Sequence, residues 1–346
     1  MNQQSHLYRD GFPPVAVIIL NWNGSALLRE FLPAVIKTTD PAIGRVIVAD
    51  NGSTDDSLKV LADDFPEVEV IAFDRNYGFA EGYNKALDIT RYPYTVLLNS
   101  DVATGENWLK PLYNFMQSHP EAGGCQPKVL SYREPERFEY AGACGGFIDR
   151  HGYPYCRGRI FDTCEIDRGQ YDSEIEVFWA TGAALMVRTS LYLEAGGLDA
   201  SFFAHMEEID LCWRILLQGY KLYAVPASTV YHLGGGSLPP DSPRKVYLNF
   251  RNNLLMLHKN VPVGRRGRLL FIRRLLDTIA WARFVATGKW KSAADIVKAH
   301  RDFARMRGNY HTDPQRDLLA ERPDGKVNIL TSYYIKGKKK FSDLNI

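Results

Sequence analysis

Val46-Ile47-Val48-Ala49-Asp50-Asn51-Gly52-Ser53-Thr54-Asp55 reads as a strand that runs straight into a polar turn. Its apolar residues follow one another without alternation, which suits a strand covered on both faces. Short runs of the same kind lie around it: Val15–Leu20, Arg45–Ala49, which holds this strand, Val68–Ala72 and Tyr94–Leu98. Helix-length stretches separate them. Strands alternating with helices predict an α/β fold with a mostly parallel sheet flanked by helices. Ligands bind such sheets in the loops at the carboxyl ends of the strands. Those loops hold the least ordinary residues of the chain: Asn21-Trp22-Asn23-Gly24, Asp50-Asn51-Gly52-Ser53, Asn76-Tyr77-Gly78 and Asn99-Ser100-Asp101.

Two phosphate-binding designs are absent from the sequence. No GxGxxG follows the first strand and no GxxxxGK[ST] occurs, which disfavours a dinucleotide domain and excludes a P-loop. The 346 residues suffice for one large domain or two modest ones. Net charge is +2, yet Lys259 to Gly308 holds 13 Lys/Arg against 3 Asp/Glu, so the rest is acidic. Such asymmetry suggests a segment that meets an anionic partner. Nucleic acid is not the partner expected, because no recognised binding motif accompanies the basic stretch. The five cysteines are odd in number and form no CxxC pair, so a reducing compartment is expected. The start of the chain is polar and reads as no signal peptide. Leu269 to Ala286, the most apolar C-terminal stretch, carries Arg273, Arg274, Asp277 and Arg283, and cannot span a bilayer.

Each loop residue admits a plain and a chemical reading. Asp50 can accept from a nucleobase N–H or ribose hydroxyl, or simply complete a turn. Asp101 can hold Mg²⁺ or Mn²⁺ against a diphosphate, since hard cations take oxygen ligands; otherwise it belongs to an Asx turn. His232 can add a nitrogen ligand, and Gly234-Gly235-Gly236 behind it would let backbone N–H groups approach phosphate. Glu207-Glu208-Ile209-Asp210 opens a helix, where the dipole alone favours acids. A carboxylate there could instead activate a hydroxyl. Asp210 and Arg214 stand four apart with the acid first, so they pair on one helical face, with Glu207 near it. Glu208 projects about 100° round from Glu207.

The order of these pieces says more than any one of them. Trp22-Asn23-Gly24, Ala49–Asp55, Asn76-Tyr77-Gly78-Phe79-Ala80-Glu81-Gly82-Tyr83-Asn84 and Leu97-Leu98-Asn99-Ser100-Asp101 resemble the donor half of family 2 glycosyltransferases. Thr181-Gly182-Ala183-Ala184, Gly196-Gly197-Leu198-Asp199, Phe202–Arg214, His232 and Arg251-Asn252 resemble the second half. The likeness is closest to the branch that contains bacterial rhamnosyltransferases. It implies the GT-A fold, Rossmann-like and mostly parallel, over residues 1–245, with a donor half at about 13–105 and an acceptor half at 106–245. A basic helical C-terminal region at 246–330 and a mobile lysine-rich tail at 331–346 would follow.

The resemblance also assigns roles. Asp50 reads the nucleoside, and Asn21, Asn23, Asn76, Gly78, Asn84 and Asn99 shape the donor site. Asp101 is the metal-binding end of the family's DxD motif, with His232 as a further ligand for Mg²⁺ or Mn²⁺. Arg251 is set to neutralise a phosphate. Glu208 aligns with the base and Asp210 supports it, with Asp210 as the alternative base. Two positions depart from the pattern: Asn99 stands for the first Asp of DxD, and Asn51 for the second Asp of the strand-end pair. The expected activity is metal-dependent, inverting hexosyl transfer from a nucleotide-diphosphate sugar, dTDP-rhamnose or a UDP-hexose. The acceptor is the hydroxyl of a glycan, expected to be lipid-linked, in bacterial surface polysaccharide synthesis. A cytoplasmic place is expected, peripheral at the inner face of the plasma membrane, with an anionic membrane surface as a partner. The alternatives are a nucleotidyltransferase, or a degenerate module that binds glycan or nucleotide without catalysis.

Overall fold

The computed structural model describes residues 13–234 and 243–344. In chain order, β1 (Val15–Asn21), α1 (Ser25–Thr38), β2 (Gly44–Asp50), α2 (Ser57–Asp64), β3 (Glu69–Ala72), α3 (Phe79–Thr90) and β4 (Tyr94–Asn99) form the first half. β1 pairs in parallel with both β2 and β4, and β2 with β3. The unbroken apolar runs are explained by burial on both faces: Val15, Ala16, Val17 and Ile18 are fully inaccessible to solvent. On α1 the residues facing the sheet are Leu28, Phe31, Leu32 and Val35. Their i, i+3, i+4, i+7 spacing is the helical stripe, and each buried side chain contributes about 1.5–3 kcal/mol.

Next come β5 (Val102–Thr104), α4 (Leu109–Ser118) and β6 (Ala122–Ser131). The region between Glu121 and Arg188 then divides in two. β7 (Gly146–Ile148), β8 (Pro154–Cys156), β9 (Arg159–Ile160) and β10 (Thr163–Cys164) make a small antiparallel sheet of their own. β11 (Ile175–Val177) and β12 (Ala184–Arg188) return to the main sheet, with α5 (Thr189–Glu194) and α6 (Glu207–Leu217) behind them. Two stretches readable as separate strands, 221–225 and 229–231, form one long strand, β13 (Lys221–His232), with an irregular register between Val225 and Thr229. Pro226 lies there and has no N–H for a ladder. The order of the main sheet is β11-β13-β6-β12-β4-β1-β2-β3, with β5 on β13. β12 runs antiparallel between β4 and β6, and so brings its leading turn beside the end of β4.

The C-terminal part is helical: α7 (Pro243–Asn260), α8 (Val263–Ala286), α9 (Trp290–Met306) and the short α10 (Leu318–Glu321). No helix among the described residues is long and apolar enough to cross a membrane. The lysine-rich tail, which composition alone leaves without a seat, carries aromatic anchors on either side of its lysines. Phe341 packs 5.0 Å from the Phe147 ring, and Tyr333 OH is 2.8 Å from Thr163 Oγ1.

Gly52, in the turn after β2, has φ +70°, and a Cβ there would stand 2.4 Å from the Arg75 backbone. Gly52→Ala should therefore lose about 1–3 kcal/mol, read by urea denaturation, and loosen the loops that meet at this turn.

Candidate active site

The loops after β1 and β2 are joined by their own side chains. Asn21 and Asp50 face each other in the strand register. Asn21 Nδ2 donates to Asp50 Oδ2 at 2.9 Å, while Asp50 Oδ1 accepts from Ser53 N at 2.9 Å. Asn23 Oδ1 accepts from the backbone of Thr54 and Asp55 at 2.7 and 3.3 Å. Asn51 carries the network onward, its Nδ2 reaching Asn76 Oδ1 at 3.1 Å and Gly78 O at 3.0 Å. Asn76 Oδ1 also accepts from Gly78 N at 2.7 Å. Asn21, Asn23, Asp50, Asn76 and Gly78 are thus brought together, with Asp50 completely buried. The Asn at 51 is explained by this network, because an amide supplies both the donor and the acceptor that the 76–78 loop requires.

Asn84 has a different task. It sits one turn further along α3, its Nδ2 on Leu198 O at 2.8 Å and its Oδ1 accepting from Tyr192 OH and Leu198 N. It braces the Gly197-Leu198 turn rather than joining the loop network.

At the end of β4, Asn99 N donates to Ala183 O at 3.0 Å, which fixes the Thr181-Gly182-Ala183 turn beside the Asn99-Ser100-Asp101 turn. Asp101 and His232 come together as the sequence proposes: Asp101 Oδ1 and His232 Nε2 are 3.1 Å apart, and both residues are buried. Two cis ligands of a small octahedral cation, each about 2.1 Å from it, stand about 3 Å apart. The second ring nitrogen, Nδ1, lies 3.1 Å from Glu139 Oε2. Metal-binding histidines characteristically give that other N–H to a carboxylate. The donor set therefore fits a divalent cation, with Asp101 and His232 as ligands and Glu139 behind the ring. Among the described residues no group of three or more such side chains forms a closed cage, which leaves room for phosphate oxygens and water in the coordination sphere. Burial works against a charged His232, but the two carboxylates outweigh it and raise its pKa to about 10. The pocket therefore favours positive charge at this nitrogen.

Gly235 and Gly236 lie outside the described residues.

Glu208 opens α6 and lies against the bare backbone of Gly182, where a methyl group would sit 3.6 Å from its Cβ and Cγ. This places it one residue from the carbonyl that holds Asn99. Its Oε2 has no hydrogen-bond partner among the described residues, and burial raises its pKa to about 7. Glu207, buried beside it, is raised as well, by burial first and then by the Glu208 charge.

Asp210 is wholly buried and bound by Arg214 at 2.8 Å, Lys259 Nζ at 2.8 Å and Asn260 Nδ2 at 2.7 Å. Glu207 is not among its partners; Lys259, from α7, takes the place the helical spacing gave to Glu207. Asp210→Asn should cost about 3 kcal/mol, because it takes the carboxylate from Arg214 and leaves buried Lys259 with Asp199 alone. Thermal melting would read this, and a variant as stable as the parent would place the support of α6 elsewhere.

The turn before α6 holds Phe203, His205 and Met206 at φ +69°, +69° and +73°. Left-handed residues with side chains cost free energy, so something must hold them. Arg251 Nη2 donates to Ser201 O and Phe202 O at 3.0 and 2.9 Å. Asn252 Nδ2 reaches the carbonyls of Phe202, Ala204 and His205 at 2.8–2.9 Å. Arg251, expected at a phosphate, directs these donors to the turn that delivers Glu208.

Residues 16–157 match the profile of Glycosyl transferase family 2. The chain carries a family 2 glycosyltransferase domain. An N-acetylglucosaminyl-diphospho-decaprenol L-rhamnosyltransferase of Mycobacterium tuberculosis is 25% identical to this glycosyltransferase over 259 residues, covering 70% of this chain and 83% of the relative. That bears out the resemblance to the rhamnosyltransferase-containing branch. Among solved structures, S. aureus TarS 1-349 in complex with UDP-GlcNAc superposes with a TM-score of 0.56 at 16% identity, over 84% of this chain and 80% of that one. The mannosyltransferase PcManGT from Pyrobaculum calidifontis, in complex with GDP-Man and Mn²⁺, gives 0.51 at 16%, over 85% and 87%. The fold of the glycosyltransferase is GT-A.

Two contributors went unread in the sequence. Glu139 follows β6 in irregular chain, 93 positions before His232, and only the fold brings them together. Asn252 stood in the Arg251-Asn252 pair, but its three carbonyl partners come from a turn whose shape no local pattern announces.

Proposed function

We propose that this glycosyltransferase moves one sugar from a nucleotide-diphosphate donor, dTDP-rhamnose or a UDP-hexose, to a hydroxyl of a lipid-linked glycan. The observation that carries the reading is Glu208, a carboxylate whose Oε2 has no partner among the described residues and whose pKa burial raises to about 7, held against the turn whose carbonyl binds Asn99. That is the protonation range in which a general base works best. Asp50, Asn21 and Asn23 hold the nucleoside side of the donor, and Asn76, Gly78 and Asn99 border its sugar and phosphates. Asp101 and His232 would hold Mg²⁺ or Mn²⁺, which supplies positive charge for the departing phosphate. Glu208 takes the proton of the acceptor hydroxyl as its oxygen attacks the anomeric carbon. The bond from that carbon to the diphosphate oxygen breaks on the opposite face, and one displacement inverts the centre.

The M. tuberculosis relative, whose name specifies a diphospho-decaprenol-linked sugar, supports an acceptor of that class. With it goes a role in bacterial surface polysaccharide synthesis and a cytoplasmic place at the inner face of the plasma membrane. Purified protein incubated with Mn²⁺, a short-chain lipid-diphosphate sugar and a panel of nucleotide sugars tests this. One donor should release nucleoside diphosphate, and proton NMR of the product should show the opposite anomeric configuration. A retained configuration removes the single displacement, and release from no donor removes the catalytic reading in favour of a binding module.

A further inference from the structure

α8 buries an ion pair and leaves much of its apolar surface outside. What lies deepest is Leu269, Arg273 and Asp277, with Ile272 and Leu276 half-buried beside them. Arg273 lies 3.8 Å over the Tyr153 ring and donates to His151 O at 3.1 Å, while Asp277 Oδ2 is 3.0 Å from His300 Nε2 of α9. These polar contacts fix which side faces inward. The opposite side is an apolar ridge at i, i+4, i+8: Phe271, Leu275 and Ile279 are 62%, 53% and 66% exposed. Ala282 and Ala286 extend it and are exposed too. A helix against water normally turns its apolar stripe inward and its ions outward, so this arrangement suits an outer medium that is not water.

We infer that α8 lies on the surface of an anionic lipid bilayer, with Phe271, Leu275 and Ile279 entering the headgroup–acyl boundary. Charge complementarity selects this occupant. The helical repeat sets Arg274 on one flank of the ridge and Arg283 on the other, both exposed. The surrounding stretch, Lys259 to Gly308, carries 13 basic residues against 3 acidic. A flat apolar ridge edged by cations is the pattern of helices that lie in the interface of anionic membranes. Trp281 and Trp290 are 38% and 65% exposed nearby, and indole rings favour that same boundary. A basic edge would serve less well against a second copy of the chain, whose matching ridge would bring the same cations face to face.

Sedimentation with phosphatidylcholine vesicles, with and without phosphatidylglycerol, tests the inference without relying on the catalytic reading. The full chain should pellet with anionic vesicles at low salt and much less at high salt or without phosphatidylglycerol. The double variant Leu275→Glu, Ile279→Glu changes only exposed positions. It should lower vesicle partition about tenfold or more while melting temperature and nucleotide release stay as in the parent. Arg274→Glu with Arg283→Glu should remove the salt-sensitive part. The inference is overturned if the parent fails to pellet at low salt, or if the Leu275/Ile279 variant pellets as well as the parent. It is equally overturned if the parent is a dimer that this variant dissolves, with no vesicle binding in either. Pelleting without nucleotide release from any donor would leave the inference standing and remove the proposed activity alone.

Discussion

Glu208→Gln should lower turnover by about 10²–10⁴, the usual worth of a general base, with donor affinity and melting temperature nearly unchanged. The amide keeps the shape of the side chain against Gly182 but cannot accept a proton. The sign of the pH dependence follows from the raised pKa. Glu208 is competent only when ionised, so the parent's rate should fall as pH drops through about 7, where burial places this carboxyl. Residual turnover of Glu208→Gln should lack that acid limb. Steady-state rates between pH 5.5 and 8.5 on both proteins decide the matter. A variant with parental turnover, beside an Asp210→Asn that is folded but inactive, would move the base to Asp210.

Asp101→Ala should abolish Mn²⁺-dependent binding of nucleoside diphosphate, and His232→Ala should weaken it. Glu139→Gln should weaken it by about tenfold, the lower range for a carboxylate behind a ligating histidine. Calorimetry with Mn²⁺ and a nucleoside diphosphate, alone and together, reads all three without turnover. Binding of the ion should tighten when the nucleotide is present, because two protein ligands leave most of the coordination sphere to phosphate and water. Donor binding that ignores EDTA and survives Asp101→Ala would take the ion out of the mechanism.

The strands of the donor half were legible because burial on both faces leaves its mark as unbroken apolar runs, Val15–Leu20 above all. Asp101 and His232 were legible from a motif order. Their direct contact depends on β13 pairing with β5, a tertiary event. The insertion of β12 between β4 and β6 left no such mark, since a short apolar strand looks the same in either direction. Asn84 and Arg251 were read as ligand contacts for a related reason. An amide or a guanidinium in a motif can meet a substrate or brace a turn, and the partner carbonyls belong to distant chain. The apolar character of Leu269–Ala286 was plain in the sequence, yet which side of α8 faces outward rested on Arg273, Asp277 and His300 finding one another.

The turn at Phe203–Met206 and the salt bridge from Asp210 to Lys259 have a practical corollary for anyone trimming this protein. The sheet ends at His232, and a boundary drawn there or at residue 245 looks natural on a diagram. Such a cut discards Arg251, Asn252, Lys259 and Asn260, the anchors that keep the turn and α6 in register. The fragment would retain its nucleotide loops and lose the scaffold that aims Glu208. The smallest self-sufficient catalytic piece of this chain is therefore expected to extend through Asn260, with its first C-terminal helix as an integral working part.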